Sequence, residues 1–119
     1  MVYVLLDATK GEKEMKIGEL RKAAKYWQEK LNLTEWRIVV RFAKEEEMAG
    51  DEYAGHAYWV PEYPEATILL RRGEGEHTLL HEMLHVRLEG AGLNPRKYNI
   101  GYERGINVLV EVLLGKPEP

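Results

Sequence analysis

The segment His81-Glu82-Met83-Leu84-His85 places two histidines four positions apart, with a glutamate directly after the first. On an α-helix, side chains four residues apart lie one above the other, so the two imidazoles can bind one metal ion. Glu82 would point away by about a third of a turn, where it could accept a proton from an attacking water molecule. A shuffled chain of this composition would contain the pattern roughly 0.02 times, so the motif predicts a zinc site with hydrolytic chemistry.

A catalytic zinc needs a third protein ligand, and no histidine follows the motif. Three glutamates later in the chain are candidates: Glu89, Glu103 and Glu111. Glu89 lies one turn further along the motif helix, where it would strain a tetrahedral site. The spacing favours Glu103, because the chain has room to turn back and place a second helix beside the first. Asn107, one turn after Glu103, could then accept the second N–H of His81.

Two absences agree with a water nucleophile. The 119 residues include no cysteine and no serine, and the four threonines are all internal. Disulfides, thiolate metal sites and cysteine or serine nucleophiles are therefore excluded. A net charge of −3 argues against a nucleic-acid binder.

Length and composition predict one domain over residues 1–119 with a single core. The longest apolar stretch near the end, Ile106 to Leu114, is interrupted by Asn107 and Glu111 and is far shorter than the ~20 residues of a membrane span. We therefore expect a soluble cytoplasmic protein without membrane insertion. Eighteen glutamates against two aspartates, with four asparagines and one glutamine, are typical of thermophilic proteins.

The hydrophobic pattern predicts an α+β fold. A backing helix is expected from Lys16 to Asn32, a motif helix over residues 76–89 and a glutamate-bearing helix over Ile100–Leu114. Strands are expected at 36–42, 54–60 and 66–71, which gives a small three-stranded, mainly antiparallel sheet with a proline-containing hairpin turn at 61–64. Residues 2–6 are predicted to form a short strand or a docked segment, and residues 116–119 an extended tail.

Together, His81-Glu82-x-x-His85 and Glu103-x-x-x-Asn107 resemble the gluzincin metallopeptidases, whose second helix carries Glu-x-x-x-Asp. Asparagine stands here in place of that aspartate, so the partner of the ligand histidine would be neutral. The size and order of elements over residues 16–114 resemble the minigluzincins, compact relatives of the catalytic domains of integral-membrane metallopeptidases. The resemblance implies a zincin-like fold and peptide hydrolysis, with zinc held by His81, His85 and Glu103.

The same resemblance gives the strand around His56, Ala57 and Tyr58 a role, because gluzincins bind the substrate backbone along an edge strand above the metal. A plain core strand is an equally good interpretation, and the position of the strand in the sheet decides between them. His56 is also a candidate transition-state donor. Tyr98 and Tyr102 are candidates for stabilising the oxyanion, and a role in the core is an equally open interpretation.

Two further features bear on activity. His77 precedes His81 by one turn, and we expect it to be exposed or at the rim, because a straight helix cannot surround one ion with three successive turns. Minigluzincins are known in latent forms shielded by C-terminal segments. The tail 116–119, which carries Glu118, is therefore expected either to lie across the cleft as in a zymogen or to be frayed.

The sequence leads to one principal hypothesis and two alternatives. The principal one is a zinc-dependent peptidase, with Glu82 as general base and acid. The first alternative is a catalytically silent metal-binding module with a regulatory or interaction role. The second is a zinc hydrolase that acts on substrates other than peptides, because the motif specifies activated water rather than the substrate.

Overall fold

A computed structural model of the chain describes residues 2–5, 14–47, 53–90 and 100–115. The strands are β1 (Val2–Leu5), β2 (Arg37–Phe42), β3 (Tyr53–Val60) and β4 (Glu65–Leu70). The helices are α1 (Ile17–Lys30), α2 (Glu76–His85) and α3 (Ile100–Leu114), with a 3₁₀ turn at Glu45–Glu47 and a π turn at Val86–Gly90 that extends α2. This confirms the α+β class, and the three expected helices agree closely with those observed.

The four strands form one mixed sheet in the order β1-β3-β4-β2. The pairs β1–β3 and β3–β4 are antiparallel and β2–β4 is parallel, so the sheet is mainly antiparallel as expected. The sheet has one strand more than the three expected, because residues 2–5 pair with β3, which confirms the strand alternative for the segment predicted at residues 2–6. Four apolar residues suit a strand or a docked segment equally well, and only the pairing with β3 distinguishes the two.

The core lies between one face of the sheet and the helices. Residues alternate between the two faces of a strand, so Val40 and Ile68 point towards the helices while Arg41 and Leu69 point away. The Trp27 indole N–H also donates a 2.7 Å hydrogen bond to Glu76 and ties α1 to the start of α2. The buried apolar residues of this core include Leu20, Ala24 and Trp27 of α1, Val40, Ala57, Ala66, Ile68 and Leu70 of the strands, Leu79, Leu80 and Met83 of α2, and Ile106 and Val110 of α3.

The helix ends follow local signals. At the start of α1, the Lys16 backbone N–H donates to the Glu19 carboxylate at 3.0 Å. After α1, Asn32 takes the left-handed conformation (φ 58°), which agrees with the expected asparagine stop signal. Gly115 plays the same part after α3 (φ 71°). Of the helices in the described ranges, none is long and apolar enough to cross a membrane.

Two glycines allow α2 and its π turn to lie close to β3. A Cβ atom at Gly55 would lie 2.8 Å from the Leu69 carbonyl oxygen and 3.1 Å from Thr78 Cγ2 of α2. At the other end, a Cβ atom at Gly90 would lie 3.2 Å from Trp59 Cδ1. The helix is thereby held along β3, and it also contacts β1 and β4.

Candidate active site

The two histidines of the motif meet in the interior of the protein. His81 Nε2 and His85 Nε2 are 3.2 Å apart, and the side chains are only 1% and 0% exposed. Two nitrogens bound to one zinc at 2.0–2.1 Å with a tetrahedral angle would be about 3.3 Å apart. The observed separation therefore fits two ligands of a single ion.

The other ring nitrogen of His81 is held by α3. His81 Nδ1 lies 2.8 Å from Asn107 Oδ1, which is the contact expected from the sequence. Because an amide oxygen only accepts hydrogen bonds, His81 Nδ1 must carry the proton in this contact. The nitrogen that faces His85 is then Nε2.

His85 is held in the same way from its own helix. Its Nδ1 donates to the buried carboxylate of Glu89, with Oε2 at 2.5 Å. This contact differs from the prediction for Glu89, which was a strained zinc ligand, although a spacing of four residues from His85 is a usable signal for a hydrogen bond on a helix. Glu89 belongs to the π turn, a local widening that often accompanies functional sites.

The two Nε2 atoms face each other in a contact whose donor and acceptor depend on the tautomer of each ring. Ligating histidines commonly pass their second N–H to a carboxylate or carbonyl oxygen, as both rings do here. The donor set therefore fits a zinc ion held through His81 Nε2 and His85 Nε2.

Glu82 and position 103 complete the expected set. Glu82 follows His81 on α2, and its side chain is fully buried. Burying a carboxylate is costly unless charge or hydrogen bonds compensate it, and a cation bound to the neighbouring imidazoles would do so. Position 103 lies on α3, one turn before Asn107, and its side chain lies outside those the structure describes. Among the described residues, no group of three or more His, Cys, Asp or Glu could hold a metal.

His77 differs from the expectation. It is 7% exposed rather than at a rim, and its Nε2 lies 3.2 Å from Glu111 Oε1. The physical reason is that α3 packs against α2 and covers this end of the helix, which the pattern of α2 alone does not reveal. Glu111, one of the candidate third ligands, therefore contacts His77.

The expected substrate strand lies inside the sheet rather than at its edge, since β3 pairs with β1 on one side and β4 on the other. Ala57 is buried towards the helices, whereas His56 and Tyr58 lie on the opposite face. Burial lowers the pKa of His56 below its ordinary value of 6.5, against the opposing effect of the Glu47 carboxylate. Tyr98, the side chain of Tyr102 and the tail 116–119 lie outside the described residues.

Comparison with known proteins gave no match. No family model matches the chain, and searches of curated proteins and of solved structures found no similar protein. The interpretation of the site therefore depends on the chemistry of its own residues and on the arrangement of α2 and α3.

Proposed function

We propose that this protein is a zinc-dependent peptidase. The observation that supports it best is the convergence of His81 Nε2 and His85 Nε2 at 3.2 Å, with both Nδ1 atoms engaged by oxygen acceptors. Two imidazole nitrogens at this separation match the spacing of two ligands on one zinc ion.

His81 and His85 would hold the zinc, and Glu103 would be the third ligand, supplied by the helix that already positions Asn107. The bound ion would lower the pKa of water and polarise the scissile carbonyl group. Glu82 would accept the proton of the attacking water and return it to the leaving amine. The chain would act in the cytoplasm on peptide segments.

The decisive variant is Glu82→Gln, which keeps size and shape and removes the base. We expect wild type and variant to bind one zinc per chain by mass spectrometry of the metal. We expect cleavage of a quenched fluorescent peptide library to fall about 10²–10⁴-fold. Glu62→Gln is the matched control, since Glu62 is exposed in the β3–β4 turn. A wild-type chain without stoichiometric zinc would contradict the proposal.

The third ligand is tested separately. Glu103→Ala should weaken zinc binding strongly, because two imidazoles alone leave the ion with too few protein ligands. Glu89→Gln should weaken it less, since the amide oxygen can still accept from His85. Equal zinc affinity in Glu103→Ala and wild type would remove Glu103 from the site.

A silent metal-binding module is the second candidate. The neutral acceptor Asn107 favours it, because an amide polarises His81 less than a carboxylate would. In that case wild type and Glu82→Gln would both bind zinc and neither would cleave any peptide in the library.

A further inference from the structure

Strand β1 covers the side of β3 that faces away from β4. It runs antiparallel to β3, and the register places Val2 opposite Ala57, Tyr3 opposite His56 and Val4 opposite Gly55. In an antiparallel pair the backbone N–H and C=O groups of the two strands bond to each other. β1 therefore uses the groups through which β3 could bind another extended chain.

This part of β3 lies beneath the motif helix. α2 approaches β3 at Thr78, next to Gly55, and the π turn approaches it at Gly90, next to Trp59. These two contacts bracket residues 81–85 along the helix. β1 also contacts α2. The strand that pairs with residues 53–57 of β3 is thus adjacent to the helix that carries the proposed zinc site.

β1 has the weakest pairing in the sheet. Its register covers four positions and is shifted between Val4 and Leu5, whereas β3–β4 and β2–β4 each pair regularly over six. Every other strand follows α1 in the chain, so β1 can leave without changing how the rest are connected. Short edge ladders with few hydrogen bonds are the parts of a protein that open at least cost.

We propose that β1 keeps the peptidase latent by occupying the position in which an extended peptide substrate would pair with β3. The proposal rests on the proposed function. A peptide bound by strand addition needs the same N–H and C=O groups of β3 that β1 uses, so the two exclude each other. The substrate class is a peptide segment in extended conformation. Such a segment can pair with β3 only after β1 has opened.

The test severs β1 from the folded, zinc-loaded chain. A cleavage sequence for a site-specific endoprotease is inserted between Thr9 and Lys10, and the released strand is removed by gel filtration. If β1 is open for about 1–10% of the time, severing should raise kcat/KM on an extended peptide about 10–100-fold, mainly through KM.

A synthetic peptide of residues 1–9 should restore inhibition and compete with substrate. The same peptide with Tyr3→Pro and Val4→Pro should not, because it lacks the N–H groups for pairing.

The outcomes separate this proposal from the proposed function. Equal activity before and after severing overturns latency and leaves the peptidase intact. If neither form cleaves peptides, the proposed function fails. Binding of the fluorescently labelled 1–9 peptide to severed Glu82→Gln then tests whether β1 and extended peptides compete for β3. Displacement of that peptide by unrelated extended peptides supports competition at β3, and a lack of displacement overturns it. Unfolding of the severed chain, seen by circular dichroism, also overturns it.

Hydrogen exchange on the intact chain gives a second measurement that does not depend on a variant. Backbone amides of the β1–β3 ladder should exchange at least about tenfold faster than those of the β3–β4 ladder, because β1 opens separately from the rest. Equal protection of the two ladders would show that β1 opens only when the whole sheet does, and would contradict the proposal.

Discussion

Two polar clusters on opposite faces of the sheet are built on different principles. On the outer face, the Arg41 guanidinium donates to both carboxylate oxygens of Glu47, with distances of 2.8 and 2.5 Å. On the helix side, His81 and His85 direct like atoms at each other. The outer cluster is complete because charge and hydrogen bonds match. In the inner cluster two ring nitrogens of the same kind meet, and the proposed function places a zinc ion between them.

The clusters also differ in solvent access. The side chains of Arg41 and Glu47 are 36% and 25% exposed, so water screens their attraction. His81 and His85 are 1% and 0% exposed. A change of charge there has a large electrostatic energy, because the surrounding protein has a low polarisability. Substitutions in the inner cluster should therefore have large effects on zinc binding and stability, and substitutions in the outer cluster should have small effects.

The largest expected difference is in stabilisation by zinc. At a thousandfold excess over Kd, zinc should raise the free energy of unfolding of the wild type by about 4 kcal/mol, because it binds only the folded chain. His85→Ala should lose most of this gain. Arg41→Ala should retain it, since that change affects only the outer cluster. Thermal unfolding with zinc and with a chelator measures all three, and a full zinc response in His85→Ala would contradict the comparison.

A smaller effect is expected from the residue that orients His81. Asn107→Ala should lower zinc affinity about 10–100-fold, because the ring loses the acceptor that fixes its tautomer. Asn107→Asp should bind zinc at least as tightly as wild type, since a carboxylate accepts the same N–H and adds negative charge. Competition with a chromophoric chelator measures both. Unchanged affinity in Asn107→Ala would show that α3 does not support the site.

The sequence predicted most of what depends on helical periodicity. Residues four apart on a helix must share a face, so the meeting of His81 with His85 followed from the motif alone. The contact of Asn107 with His81 followed from placing α3 beside α2. The hairpin of β3 and β4 followed from alternating apolar residues on either side of a proline-containing turn.

What the sequence did not predict depends on packing between distant segments. The pairing of β1 with β3 and the burial of His77 under α3 involve partners that no local pattern identifies. The parallel pairing of β2 with β4 also joins two strands that are separated in the chain by residues 43–64, which include β3. The contact of Glu89 with His85 is a different case, because a spacing of four residues suits either a shared metal ion or a hydrogen bond between the two side chains.

The smallest predicted effect concerns the outer cluster at acidic pH. Hydrogen bonds from Arg41, and from the Lys44 backbone N–H, lower the pKa of Glu47 to about 2 from its ordinary 4.5. Because the folded chain holds this proton less tightly than the unfolded chain, the contact stabilises the fold above pH 4.5 and is lost as the pH falls towards 2. Wild type should thus melt slightly above Glu47→Gln at pH 6, and the gap should close on acidification in the presence of a chelator. A gap independent of pH would show that Glu47 acts through shape instead of charge. Loss of zinc from Glu47→Gln at neutral pH would show that the two clusters are coupled across the sheet, since no change confined to the outer face should reach the histidines.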